Sequence, residues 1–361
     1  MNDLYNNSTH KIDQRQDISG VVSWQAPSNI ALIKYWGKKK NQIPRNPSLS
    51  LTLSKAITAT TVRYTNRGSN EKWINFKFHG VENELFADRI ERYFKTLFKI
   101  FPFLSQLRFD IESSNSFPHS SGIASSASSM AALALCLCDM QRSIFPEKDN
   151  DAQFLQKASF VARLGSGSAS RSLIPDVAIW GSHTEIDGSS DYFAQSMDAH
   201  DVFKTFRDDI LIVSSDKKSV SSSLGHDLMN DNPYASGRYK NAKNNLKDLV
   251  KALQIGDVEK LGYITEYEAL SLHALMMCSH PPFMLMHPNT MKVINAVRKF
   301  RKNTGTPIFF TLDAGPNVHL LYPKSVETEA REFIDKKLLK HAHKNMIIRD
   351  FVGSGPVKIE S

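Results

Sequence analysis

The pattern of apolar and polar positions divides this chain into short strands and longer helices. Residues 21–26, 57–64 and 73–78 are rich in β-branched and aromatic side chains and predict strands. In 87–101 the apolar residues Ile90, Tyr93, Phe94, Leu97, Phe98 and Phe101 recur at helical spacing. A short strand at 107–111, a helix at 153–164 and a buried strand at 210–213 follow. The second half is richer in helix, with amphipathic stretches at 237–253, 258–277, 289–301 and 325–339. Between the last two, apolar strands 308–312 and 318–322 are joined by Asp313-Ala314-Gly315-Pro316-Asn317, a tight turn by composition. Strands and helices do not alternate strictly, which favours an α+β fold in two lobes over a doubly wound parallel sheet. The lobe boundary is expected near His200.

Composition narrows the class. At 361 residues, 41% hydrophobic and 23% charged, the chain is ordinary globular protein. No apolar run approaches the roughly 20 residues that cross a bilayer, so no membrane association is expected. The longest run, 130–138, reads as a buried helix. Residues 1–20 are polar, lack the apolar stretch of a secretory signal, and read as a frayed leader. Cys136, Cys138 and Cys278 form no disulfide framework, and the first two read as core packing. A reducing, cytoplasmic setting fits. The net charge is +8, but basic residues are dispersed, apart from small clusters such as Lys38-Lys39-Lys40. No nucleic-acid motif accompanies them, so no nucleic-acid partner is expected. A solubility surplus and a site for an anionic substrate remain as readings of the charge.

Four segments carry candidate chemistry, each with a plain alternative. Residues 118–127 combine Pro118, Ser121, Gly122, Ala124, Ser125 and Ser126 ahead of the apolar helix. Ser125 or Ser126 as helix cap leaves amides free for phosphate oxygens; the alternative is an ordinary capped helix. Residues 165–172 run Gly-Ser-Gly-Ser-Ala-Ser-Arg-Ser, hydroxyls and small residues ending in Arg171. They form either an oxyanion cradle with a guanidinium fork or a solvated loop. Lys34 follows an apolar stretch and precedes Tyr35 and Trp36, so it is either a snorkelling edge residue or a partly desolvated site charge. Asp313 at a strand end is either a turn capper or an exposed general base.

Taken in order, these segments resemble the diphosphomevalonate decarboxylases of the GHMP kinase superfamily. Residues 29–38 match a segment like NIALIKYWGK, and 117–127 match FPxxxGLASSA with Ile123 for Leu. Residues 165–172 match GSGSACRS with Ser170 for Cys, and 312–318 match FDAGPNA with conservative end changes. The stretches 217–225 and 271–282 also look similar, so the likeness covers roughly 21–322 in collinear order. Two segments depart from the family pattern. Leu173-Ile174-Pro175-Asp176 replaces a Tyr-Gly-Gly-like turn, and 43–50 carries Arg45 and Pro47 where the family has LPTNSSLS.

The resemblance implies a GHMP kinase fold, with an N-terminal lobe over 21–200, a C-terminal lobe over 201–361 and the site between them. It implies ATP and Mg2+ as cofactors, a mevalonate diphosphate as substrate, and a homodimer. Asp313 would be the base on the tertiary hydroxyl, Lys34 the cation beside it, and Arg171 the clamp on the substrate carboxylate. Tyr35, Trp36, Gly37, Lys38, Arg89, Ser166, Gly167, Ser168, Ala169, Ser170, Ser222 and Ser223 would bind substrate. The 117–127 loop would hold ATP, with Ser125 or Ser126 near the metal. Action on monophosphorylated mevalonate, phosphorylation without decarboxylation, and a non-catalytic binding protein are the rival readings.

Overall fold

The first strand runs well past the predicted 21–26. In the computed structural model, which describes residues 4–13, 15–69, 71–118, 123–146, 149–216 and 220–360, β1 spans Ser19–Ile33 and pairs antiparallel with β2, Ser48–Asn66. Pro27 does not end β1, because the register shifts between Pro27 and Asn29 and the ladder resumes beyond the irregularity. This extension delivers Lys34 to the end of a strand rather than to a loop.

β3 (Ile74–Phe78) and β4 (Val81–Glu82) precede α1 (Glu84–Thr96). The helix begins earlier than its apolar spacing suggests, because the Asn83 side chain caps it by accepting the Phe86 N–H at 3.1 Å. It also ends earlier, and Leu97, Ile100 and Phe101 are buried beyond its last turn. β5 (Leu107–Asn115) then pairs with β2 and, in parallel, with β3. Helix α2 (Ser125–Ile144) packs on this sheet and α3 (Asp151–Gly165) packs on α2, and Cys136 and Cys138 are buried in the core as expected. The leader does not fray over 4–13. Ile12 is buried, and Gln106 bonds both its N–H and its carbonyl.

β6 (Val177–Trp180) and β7 (Gln195–Ser196) complete the larger sheet, followed by the short α4 (Asp201–Lys204). A second, four-stranded sheet holds the C-terminal half. Its strands are β8 (Arg207–Leu211), β9 (Phe309–Thr311), β10 (Val318–Tyr322) and β11 (Ile347–Phe351), in the order β11-β8-β10-β9, all antiparallel. Between β8 and β9 lie α5 (Ser222–Asp227), α6 (Ala235–Ile255), α7 (Val258–Met277) and α8 (Pro288–Thr304). After β10 comes α9 (Glu327–Phe333), running into a wider turn at Ile334–Leu338. β12 (Val357–Lys358) returns to pair with β1. The fold is α+β.

The two sheets are tied at one point by a buried carboxylate. Asp350 on β11 accepts the N–H groups of Ser54, Lys55 and Ala56 on β2 at 2.9, 2.8 and 2.7 Å. With the N–H of its own neighbour Phe351 at 2.8 Å, this buried acid satisfies four backbone donors. A shared apolar cluster joins Ile30, Leu32 and Leu51 of the first sheet to Ile210, Leu321 and Val352 of the second. Among the described residues, no helix is long and apolar enough to cross a membrane.

Candidate active site

Lys34 sits immediately beyond β1 with its neighbourhood fixed by two backbone contacts. Its N–H donates to Glu268 Oε2 at 3.0 Å, and its carbonyl accepts from Asn46 Nδ2 at 3.1 Å. The side chain is buried, so the snorkelling alternative does not hold here. Its Nζ lies 2.8 Å from Oδ1 of Asp313, in the turn between β9 and β10. Burial pushes the Lys34 ammonium below the ordinary lysine value; the charges of Asp313 and Glu268 oppose this, and Arg171 adds to it.

The Asp313 turn is braced from three elements. Gly315 N–H donates to the Asp313 carbonyl at 2.7 Å, and His273 Nε2 approaches the same oxygen at 3.1 Å. Thr290 on α8 donates to Pro316 O, and Asn317 Oδ1 accepts Val213 N–H at 2.7 Å. The backbone is thus held by its own bonds, and the Asp313 carboxylate, still partly exposed, is turned to Lys34.

Arg171 lies in the last turn of a tight 3-10 segment, Gly167–Leu173, and is almost wholly buried. Asn29 Oδ1 accepts its Nη2 at 3.1 Å, and Ser48 Oγ accepts its Nη1. Asn29 is itself fixed, donating to Ser172 Oγ at 2.8 Å and to Ser168 O at 3.1 Å. Burial brings the guanidinium down to about 10, opposed by the charge of Asp313. It therefore stays cationic at neutral pH and within electrostatic reach of Asp313. The departing segment 173–176 leads straight into β6, with Asp176 in the left-handed region at φ 53°.

The aromatic pair beside Lys34 is organised by a histidine that no motif marked. His226 on α5 accepts the Gly37 N–H through Nδ1 at 2.9 Å. Its ring lies 4.4 Å from Tyr35 and 4.6 Å from Trp36, centroid to centroid. Burial, aided by Lys38, depresses it to about 3, so it is neutral with its proton on Nε2. Gly37 has φ +92°, and a Cβ there would meet Tyr239 Oη at 2.1 Å, so a larger residue would be strained and would displace that ring. Tyr35 Oη is buried without a hydrogen-bond partner and lies against Gly167, the sort of orphan that a ligand satisfies.

Lys38 faces outward from this group into a cavity of about 660 Å³. Lys39, Lys40, Arg45 and Lys99 also line it, against the one carboxylate of Asp227.

Other expected residues are spread unevenly. Ser166 Oγ lies 3.5 Å from both Ser126 and Ser168, so the 165–172 loop and the start of α2 are adjacent. Ser170 points inward, donating to Gly167 O at 2.8 Å, and Ala169 is buried. Ser222 and Ser223 are exposed at the start of α5, the helix that carries His226. Arg89 is exposed on α1 with its guanidinium over the Phe86 ring. No contact joins Arg89 to Lys34, Asp313 or Arg171 among the described residues. Ser121 and Gly122 lie outside the described residues. Neither Ser125 nor Ser126 caps α2. The cap position is Ala124, left-handed at φ 45°, and the Ser125 carbonyl instead takes the Ser129 hydroxyl at 2.7 Å. The helix therefore starts without a side-chain cap, with the Ser126 hydroxyl exposed in its first turn.

Residues 26–194 match the family model of the diphosphomevalonate decarboxylase-like N-terminal domain. Residues 209–355 match that of the mevalonate 5-diphosphate decarboxylase C-terminal domain. The diphosphomevalonate decarboxylase of Debaryomyces hansenii is 30% identical over 329 residues, 87% of this chain and 82% of the relative. The chain belongs to the diphosphomevalonate decarboxylase family.

Solved structures of family members superpose along almost the whole chain. Mevalonate diphosphate decarboxylase from Staphylococcus aureus has a TM-score of 0.81 at 30% identity, covering 95% of this chain and 99% of that one. A structure described as MDDEF in complex with MVAPP, AMPPCP and magnesium has a TM-score of 0.81 at 28% identity, covering 95% and 100%. The fold is that of the GHMP kinases, as the sequence motifs imply.

Proposed function

We propose that the chain catalyses the ATP-dependent decarboxylation of (R)-5-diphosphomevalonate to isopentenyl diphosphate, carbon dioxide, ADP and phosphate. The observation that carries this reading is the 2.8 Å contact of buried Lys34 with Asp313, with Arg171 in electrostatic reach. Family membership and the MVAPP and AMPPCP complex of a related structure support the choice of substrates.

A tertiary alcohol is a weak nucleophile. Asp313 orients the 3-hydroxyl and accepts its proton as that oxygen is phosphorylated. Phosphoryl transfer needs alignment and cationic stabilisation more than covalent help, and Lys34 supplies the cation. Arg171, its guanidinium already oriented by Asn29 and Ser48, forks the substrate carboxylate. The C3–O bond to phosphate then breaks. Electrons of the C1–C2 bond become the C2–C3 double bond, and carbon dioxide leaves. Asp313, a carboxylate beside C3, stabilises the positive character that develops there.

The uncapped start of α2 suits nucleotide phosphates, whose charge is favoured at a helix N-terminus. Ser125 or Ser126 would hold magnesium together with those phosphates, where the ion neutralises phosphate charge. The Ser166 hydroxyl lies 3.5 Å from those of Ser126 and Ser168, and the unpartnered Tyr35 Oη lies against Gly167. The cation-lined cavity at Lys38 suits the diphosphate end of the substrate. The same reading makes the protein a cytoplasmic homodimer, which light scattering of the purified protein checks for assembly.

The deciding assay supplies purified protein with ATP, magnesium and either mono- or diphosphorylated mevalonate, and traps carbon dioxide. Trapped carbon dioxide with isopentenyl diphosphate, from the diphosphate only, is the expected result. A stable 3-phosphate, or a preference for the monophosphate, overturns the proposal.

A further inference from the structure

Helix α7 contacts the main chain of both Lys34 and Asp313, not the ion-paired side-chain atoms. Glu268 on this helix is fully buried and receives four donors. Arg238 gives two, at 3.1 and 2.5 Å, and Asn245 Nδ2 gives one at 2.7 Å. Both belong to neighbouring α6, and together they suffice to stabilise a buried carboxylate. The fourth donor is the backbone N–H of Lys34, which comes from the other sheet. Five residues further along α7, about 7.5 Å at 1.5 Å per residue, buried His273 meets the carbonyl of Asp313 at 3.1 Å. A carbonyl only accepts, so the ring N–H donates. The helix is also docked tightly on β9, the strand that leads to Asp313. Gly262 lies so close to Phe309 that a Cβ there would approach its ring at 2.1 Å.

Resting on the function proposed above, we propose that Glu268 and His273 are positioning residues, and that α7 is the spacer setting the reach of the Lys34 ammonium to the Asp313 carboxylate. One side chain fixes the backbone of the cation and the other fixes the backbone of the acid. Both hold main chain, so the reacting side chains remain free to meet substrate. The charged groups around Lys34 Nζ are Asp313 from the β9–β10 turn, Glu268 from α7 and Arg171 from the turn after α3.

The test uses His273→Ala, His273→Gln and Glu268→Gln in the full chain. Gln at 273 restores an N–H near the position of the ring Nε2. His273→Ala is expected to lower kcat about tenfold or more, since a small misplacement of reacting groups is costly, with KM for both substrates within about twofold. His273→Gln is expected to recover most of that loss. Equal losses in the two variants, or an Ala variant with the parent's kcat, overturn the proposal. A second readout does not need turnover: titration of the Lys34 ε-amine, followed by NMR of lysine-labelled protein. Its midpoint is expected to fall in both His273→Ala and Glu268→Gln, because Asp313 drifts away in one and an anion is lost in the other. Unchanged midpoints overturn the spacer role. Should the parent protein turn over neither mevalonate compound, the function proposed above fails, while the titration still decides the role of α7.

Discussion

The ammonium of Lys34 and the carboxylate of Asp313 meet at 2.8 Å across 279 residues of sequence. Lys34 directly follows a strand of the larger sheet, and Asp313 sits in a turn of the smaller one. The pair exists only when the two sheets are docked. Because burial outweighs the attraction of Asp313 and Glu268, Lys34 loses its proton below the ordinary lysine value of 10.5. Activity that needs the ammonium is present below that midpoint and lost as pH rises through it. A profile of kcat against pH is expected to show a basic limb below 10.5 in the parent. Lys34→Arg, always charged, should lack that limb at a reduced maximum rate. The same limb in both proteins would assign it to another group.

Arg171 is oriented by Asn29 and Ser48 before any substrate arrives. Arg171→Lys keeps the charge but loses the planar fork. We expect kcat for decarboxylation to fall by about 10²-fold or more, in line with the cost of misplacing a reacting group. Phosphorylation of the 3-hydroxyl should fall less. Equal losses in both half-reactions, measured by single-turnover quench, would remove Arg171 from the carboxylate.

His226 ties the Tyr35-Trp36-Gly37 segment to α5, and burial holds it neutral, with a midpoint of about 3 against 6.5 in an open chain. Below 6.5 the unfolded chain takes up a proton that the folded protein refuses. The stability contribution is therefore fully present above 6.5 and is lost as pH falls towards 3, on the order of 5 kcal/mol in all. His226→Asn keeps an acceptor for the Gly37 N–H and removes the titration. Chemical denaturation between pH 4 and 7 should give a flatter stability profile for the variant. Parallel profiles would contradict this role.

Much of the site was legible because its chemistry is concentrated in short segments. Lys34, Arg171 and Asp313 each sat in a stretch with a recognisable order of residue types, and the structure brings them into one neighbourhood. The extension of β1 through Pro27 was not legible, since only the pairing with β2 reveals the register shift that accommodates the ring. Glu268 and His226 carry no local signature. A glutamate within a helix reads as a solvated face until the fold brings Arg238, Asn245 and Lys34 around it. The start of α2 was misjudged in detail, because serines after Ala124 look like caps. The left-handed backbone at Ala124 instead makes Ser125 and Ser126 the first helical residues. β11 was missed because its value lies in Asp350, whose bonds to the Ser54, Lys55 and Ala56 N–H groups are long-range.

Arg45 is one of the departures from the family pattern, and it lines the cavity that Lys38 enters. It donates to Asn230 Oδ1 at 3.4 Å, a long contact that leaves the guanidinium available to an anion. Arg45→Thr is expected to raise KM for the diphosphorylated substrate about tenfold, the value of one charge-assisted bond. KM for the monophosphorylated compound should be nearly unchanged. Equal shifts for both compounds would place Arg45 outside the diphosphate seat.

The central claim is that Asp313 acts as a base on the 3-hydroxyl, made competent by Lys34. Asp313→Asn keeps the shape of the side chain and removes its proton affinity. The most direct measurement is carbon dioxide release by this variant from 5-diphosphomevalonate with ATP and magnesium, beside substrate binding by calorimetry. We predict a loss of at least about 10³-fold in rate with binding within a few-fold of the parent. Release at the parental rate by a folded Asp313→Asn protein would contradict the account.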